Sequence, residues 1–274
     1  MRTNPLKQST LRRWGPWLAL VVVFATITSL LSWWQFARRE ELVERINEVI
    51  ANYDKPPIPL ADIGFVLEDG KSAQEWRPVT VSGRYLSDLT TLVRNRPLNG
   101  QAGFLQLVPF ELNDGRVLIV ERGWLVAGSD LSPTIDNPLP LTEPKQLVVR
   151  LRVSEANLGR PPIPGQISSI DLKTLAERFQ SSGEVITDYY GRLVSESPGS
   201  ETFPTAVPKP SLSEGNHLSY ALQWVLFGLM AFGAFIWAIR NDRRIQLEEA
   251  GLRAPKTQKR TQALIDAEIE DANQ

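Results

Sequence analysis

The sequence predicts an α+β membrane protein, with two transmembrane helices flanking an extracytoplasmic antiparallel β-sheet or barrel-like domain. Three observations carry this reading. Gly15–Trp34 (GPWLALVVVFATITSLLSWW) is free of charged side chains, and so is Asn216–Ile239 (NHLSYALQWVLFGLMAFGAFIWAI). Each is about as long as an α-helix must be to cross ~30 Å of hydrocarbon. Between them, short β-branched runs alternate with turn signals over a stretch long enough for one domain with its own core.

The first run is read as an uncleaved helix rather than a signal peptide. It ends in Trp33-Trp34 and lacks a small-x-small cleavage site. Two spans place both termini on one side of the membrane. Arg240, Arg243 and Arg244 follow the second span, whereas only Lys209 lies in the fifteen residues before it. The positive-inside rule therefore puts both ends in the cytoplasm. The resulting division is a cytoplasmic N-terminus (1–14), a first span (15–36), an extracytoplasmic domain (37–214), a second span (215–239) and a cytoplasmic tail (240–274), in a plasma (inner) membrane.

Within the middle domain, Trp34–Ala51 continues in helical style, with Leu42, Ile46, Val49 and Ile50 at three- and four-residue spacing; Pro56, Pro57 and Pro59 end it. Strands are expected at Pro78–Tyr85, Thr90–Arg94, Phe104–Leu112, Arg116–Val126, Val148–Val153 and Val185–Val194. Asn113-Asp114-Gly115 marks a hairpin. Asp171–Gln180 reads as a short helix capped by Asp171, Asn157–Gln166 as a Pro-rich loop, and Ser195–Glu214 as an exposed linker. The expected domain has five or six strands joined mostly by short turns.

Composition narrows the chemistry. The net charge is −1, but residues 1–39 hold six basic and no acidic side chains, while 40–215 hold 17 basic and 24 acidic. An acidic middle without a basic run argues against nucleic acid. The absence of cysteine removes disulfides, thiolate metal sites and thiol nucleophiles. No phosphate loop or G-x-S-x-G elbow is present, and Glu75, Glu111, Asp114 and Glu121 read as a solvated acidic surface. The protein is not expected to be an enzyme.

His217, the single histidine, stands at the start of the second span. At 100° per residue His217, Tyr220, Ala221, Trp224, Gly228 and Phe235 share one side of that helix. Two readings fit these residues: an interfacial belt that hydrogen-bonds lipid headgroups, or a site for a flat apolar ligand carrying a metal.

Five stretches in order resemble the SURF1 family of cytochrome c oxidase assembly proteins. They are Trp34-Gln35 with Arg38, Pro78-x-x-x-x-Gly83-x-Tyr85, Asn95-Arg96 with Gly103-Phe104 and Pro109, Val120-Glu121-Arg122-Gly123-Trp124, and His217-x-x-Tyr220-Ala221-x-x-Trp224. The resemblance covers roughly Leu31 to Trp237. It implies an assembly factor for haem–copper oxidase whose bacterial members resemble haem a binders, passing haem a to oxidase subunit I. The family histidine maps onto His217, as haem-iron ligand, and the family tyrosine and tryptophan onto Tyr220 and Trp224; Gly123 matches the family's R-G-W glycine.

The implied partners are subunit I, haem a synthase and membrane lipid, with no nucleic acid. On this reading Gly228 leaves room for a porphyrin, and Arg122 or Arg38 meets its propionates; a surface ion pair of Arg122 with Glu121 stands beside that role. The other function class is a structural assembly or supercomplex accessory that never touches haem. The sequence departs from the family pattern at Glu40-Glu41, where a lysine is usual, in the charged segment Gly64–Gln74, and in a long tail from Arg240.

Overall fold

The computed structural model describes residues 10–68, 72–128, 137–161 and 163–252. The N-terminal residues 1–9, the end of the tail from 253, and residues 69–71 of the charged segment lie outside them. The chain forms two compact units, one of residues up to 40 with those from 215 onward, the other of residues 41–214.

The first unit is a helical hairpin. Helix α1 covers Thr10–Asn52, reaching into the second unit, and helix α3 covers His217–Glu249. Both are long and apolar enough to cross a membrane. They run antiparallel, and the contacts keep step along the whole pair. Arg13 pairs with Asp242 at 2.7 Å. Trp14 meets Phe235 edge to face at 5.8 Å, and Ser32 Oγ donates to the Ala221 carbonyl at 3.0 Å. Small side chains at this seam let the helices approach closely: Ala221 is fully buried, and a methyl added at Gly228 would sit 3.0 Å from Thr28 Oγ1.

The second unit is a β-domain. Among the described residues its strands are β1 (Ile58–Pro59), β2 (Pro78–Tyr85), β3 (Thr91–Val93), β4 (Gly103–Leu112), β5 (Arg116–Val126), β6 (Lys145–Val153), β7 (Gln166–Ile167), β8 (Glu184–Val185) and β9 (Tyr189–Ser197), with helix α2 at Leu172–Phe179. That is nine strands where the sequence suggests five or six. The expected run Val185–Val194 divides into β8 and β9, both of which lie parallel to β5. The sheet is therefore mixed, though most of its pairings are antiparallel.

The sheet order is β1-β2-β6-β9-β5-β4-β3-β7, and β2 also pairs with β4. That extra pairing closes β2, β6, β9, β5 and β4 into a ring, in line with the barrel-like expectation. Gly83 makes the closure possible. It sits opposite Lys145 of β6 and Leu112 of β4 at once, and an added Cβ would fall 1.9 Å from the Glu111 carbonyl oxygen. Only a residue without a side chain lets β4 come that near.

Alternation along the strands fills the ring. Val79, Val81 and Tyr85 of β2, Val108 and Phe110 of β4, Leu118 and Val120 of β5, and Leu147, Val149 and Leu151 of β6 form one core. The opposite faces of β4 and β5 meet α2, which buries Leu172, Leu175 and Phe179 at helical spacing. Burying each of these side chains contributes about 1.5–3 kcal/mol. As expected, Asp171 caps α2, accepting from the Lys173 amide at 3.3 Å.

Two other sequence expectations hold only in part. The stretch Ser195–Glu214 is no free linker: Thr205 bonds Trp124 of β5 through both backbone groups, at 2.7 and 2.8 Å, and the Glu196 side chain is sealed inside the domain. Of the four acids, Asp114 is exposed and Glu111 half-buried, in keeping with a solvated surface, but the other two are not. Glu121 and Glu75 are buried, paired with Arg192 at 2.9 Å and Arg152 at 2.7 Å, while Glu111 and Asp114 pair with Arg84 and Arg116. A buried carboxylate needs such a partner to offset its lost hydration.

Candidate functional site

His217 is the first residue of α3, where the helix begins and the hairpin opens. Its Nδ1 lies 2.9 Å from Oε1 of Gln35 on α1. An amide oxygen can only accept, so in the tautomer that makes this bond Nδ1 is the donor and Nε2 is the nitrogen open to a metal. Orienting an imidazole through one nitrogen and leaving the other to the metal is how metal-ligating histidines are commonly braced.

The residues expected around His217 separate into two sets. Ala221, Gly228 and Phe235 face α1 and are taken up by Ser32, Thr28 and Trp14. The space at Gly228 is therefore filled by the neighbouring helix and offers no room for a porphyrin, a correction to the sequence reading. Tyr220 and Trp224 lie on the adjoining flank. Tyr220 is 51% exposed, and Trp224 is half-buried, edge-on to Phe227 at 5.7 Å. Residues 217, 220, 224 and 227 thus make one stripe at three- and four-residue spacing.

Two residues of this site, Gln35 and Phe227, do not stand out in the sequence as members of it. Gln35 belongs to the Trp34-Gln35 motif, but only the fold brings it to His217, 182 positions away. Phe227 carries a visible signal, since it continues the spacing of Tyr220 and Trp224 by one more step.

Arg122 takes neither role considered for it. Its side chain is fully sequestered, 3.9 Å from Glu196. Nη1 donates to Gln106 Oε1 at 3.0 Å and to the Pro138 carbonyl at 2.8 Å, and the guanidinium lies 5.4 Å from the Tyr85 and Phe203 ring centres. Glu196 also accepts from Tyr85 at 3.0 Å and from Ser200, and sits 3.5 Å from Lys145 Nζ. Burial, then the Glu196 charge, pushes the Tyr85 hydroxyl well above its ordinary pKa. Arg122 is thus a structural cation, out of reach of propionates.

The R-G-W motif works by geometry. Gln106 faces Gly123 but Leu107 faces Glu121, so Arg122 is the extra residue of a β-bulge. The bulge reverses which face the following residues occupy, sending Trp124 into the α2-side core with Val117 and Ile119. There its indole N–H donates to the Arg96 carbonyl at 2.5 Å. Gly123, at φ +153°, lies against the returning strap, and a Cβ would meet Thr205 O at 2.6 Å. Both residues pack the strand.

Among the described residues no three His, Cys, Asp or Glu side chains gather as a metal cluster. The donor at the hairpin's open end is a single braced imidazole beside an aromatic stripe.

Two long apolar helices flank a β-barrel domain in sequence, and the histidine stands at the head of the second of them. The chain belongs to the SURF1 family, whose model matches residues 22–229. It is similar to an uncharacterised SURF1-like protein of Mycobacterium tuberculosis, 30% identical over 254 residues, covering 87% of this chain and 89% of that one. It is also similar to surfeit locus protein 1 of Xenopus tropicalis, 25% identical, covering 84% and 77%. Saccharomyces cerevisiae cytochrome oxidase assembly protein SHY1 is 28% identical over 156 residues, 55% of this chain and 38% of that one.

Proposed function

We propose that this protein is a membrane-anchored, non-enzymatic assembly factor for haem–copper cytochrome c oxidase, which holds haem a through His217 and assists its insertion into subunit I. Family membership and the name of the yeast relative support the oxidase link. The single observation that supports the cofactor is the Gln35–His217 hydrogen bond, which orients the ring through Nδ1 and leaves Nε2 for a metal. A lone imidazole suits a metal that arrives with its own equatorial donors, as haem iron does.

In this reading haem iron supplies a Lewis-acidic position for Nε2. His217 binds, Gln35 fixes the ring, and Tyr220, Trp224 and Phe227 offer an apolar aromatic surface. The two helices span the plasma membrane with both termini in the cytoplasm and the β-domain outside, beside subunit I and haem a synthase.

Deleting the gene in a strain with no second copy tests this. Assembled oxidase and its haem a content should fall while subunit I transcription holds. Unchanged oxidase spectra and activity would overturn the assembly role. Loss of oxidase from the deletion strain, with full rescue by His217→Ala, would favour a structural accessory that does not handle haem.

A further inference from the structure

A cavity of about 500 Å³ opens in the β-domain between the end of β3, the loop after β6 and helix α2. Three arginines from these three elements line it: Arg94, Arg160 and Arg178. None of the domain's ion pairs among the described residues uses any of them. Arg94 gives Nη2 to the Pro161 carbonyl at 2.9 Å, while its Nη1 is buried with no hydrogen-bond partner.

Among the described residues one carboxylate, Asp171, also lines the cavity, and it is already occupied. It accepts from the Lys173 amide, Asn157 Nδ2 and Thr174 Oγ1 at 3.3, 2.9 and 2.6 Å. The arginines therefore face the cavity with more positive charge than it neutralises. An unpaired buried guanidinium N–H is costly, and a concave wall of one charge concentrates anions. Ser168 adds a hydroxyl, and Ile163 and Leu175 an apolar wall.

We propose that this cavity binds a small molecule bearing a phosphate or carboxylate group on a compact apolar body. Guanidinium forks match both oxyanions two bonds at a time, and the volume lies within the range of small-molecule sites. The site is built wholly within the β-domain and does not depend on haem binding.

The test is calorimetric titration of the purified full-length protein, in mild detergent at low salt, with inorganic phosphate and separately with citrate. At least one should bind saturably, one per chain. The pair Arg160→Gln and Arg178→Gln, both exposed and outside any ion pair among the described residues, should weaken binding by about tenfold or more without moving the thermal unfolding midpoint. Lys173→Gln, on the same helix but outside the cavity, should not. Repeating the phosphate titration in phosphatidylglycerol and phosphatidylcholine nanodiscs separates the sources of the group: a soluble ligand leaves the two alike, whereas a lipid headgroup blocks the site in phosphatidylglycerol. No saturable binding of either probe, binding that survives the double substitution, or equal weakening by Lys173→Gln would each overturn the proposal.

Discussion

Gln35 Oε1 and His217 Nδ1 meet at 2.9 Å, joining two motifs that lie at opposite ends of the sequence. The bond orients the imidazole and favours the tautomer in which Nδ1 donates. Under the haem-binding reading, Gln35→Ala should weaken haem affinity about 10–100-fold, the usual cost of removing such a brace. Gln35→Glu, which keeps an acceptor there, should restore most of it. Haem titration followed by absorbance checks this; equal affinities in all three proteins would show that the bond is only structural.

Glu196 is ringed by two buried cations, Arg122 and Lys145, with Tyr85 and Ser200. Glu196→Gln keeps the shape but strands both cations. The expected loss is about 3–5 kcal/mol of stability, read as a lower urea midpoint. A midpoint within error of the parent would mean that the charges are compensated elsewhere.

Gly123 combines a positive φ with a backbone neighbour where its Cβ would lie. Gly123→Ala should cost about 2–4 kcal/mol from strain and crowding together. Amide exchange at Thr205 and Trp124, which bond each other across this point, should accelerate more than exchange in β6. Uniform acceleration would contradict a local effect at the strap.

Tyr190 is fully buried, and desolvation followed by the Glu121 charge pushes its pKa from 10.0 up to about 12. Between these values the unfolded chain releases the proton and the folded one keeps it, so the unfolded state binds fewer protons. Stability therefore falls as pH rises above about 10, by on the order of 2–3 kcal/mol at pH 12. Tyr190→Phe should flatten that part of the alkaline unfolding curve. An unchanged slope would show that Tyr190 ionises normally in the folded protein.

Much of this architecture is legible in the sequence alone. The apolar runs place both long helices, alternation places β2, because side chains facing a barrel core recur every second residue, and a continuous β-branched run places β5, which is buried on both faces. Asn113-Asp114-Gly115 places the β4–β5 hairpin and Asp171 the start of α2. What stays hidden depends on long-range register. A one-residue bulge at Arg122 leaves no periodic trace, so the arginine reads as surface. Glu196 sits in a Ser- and Pro-rich stretch that looks solvated, yet its buried partners come from β5 and β6. The functional stripe is half legible: spacing groups His217 with Tyr220 and Trp224, but only the paired helix reveals that Gly228 is occupied and that Gln35 is the brace.

The most direct test is the absorption spectrum of the purified full-length protein from cells that make haem a, beside His217→Ala. The parent should carry a Soret band and the variant should lose it or keep only a small fraction, with the β-domain's unfolding midpoint unchanged because His217 lies outside its core. Trp224→Ala should retain the band with affinity reduced by about 1 kcal/mol, the scale of one aromatic contact. A His217→Ala protein with an unaltered Soret band would contradict ligation by His217, and a parent without the band would contradict haem binding altogether.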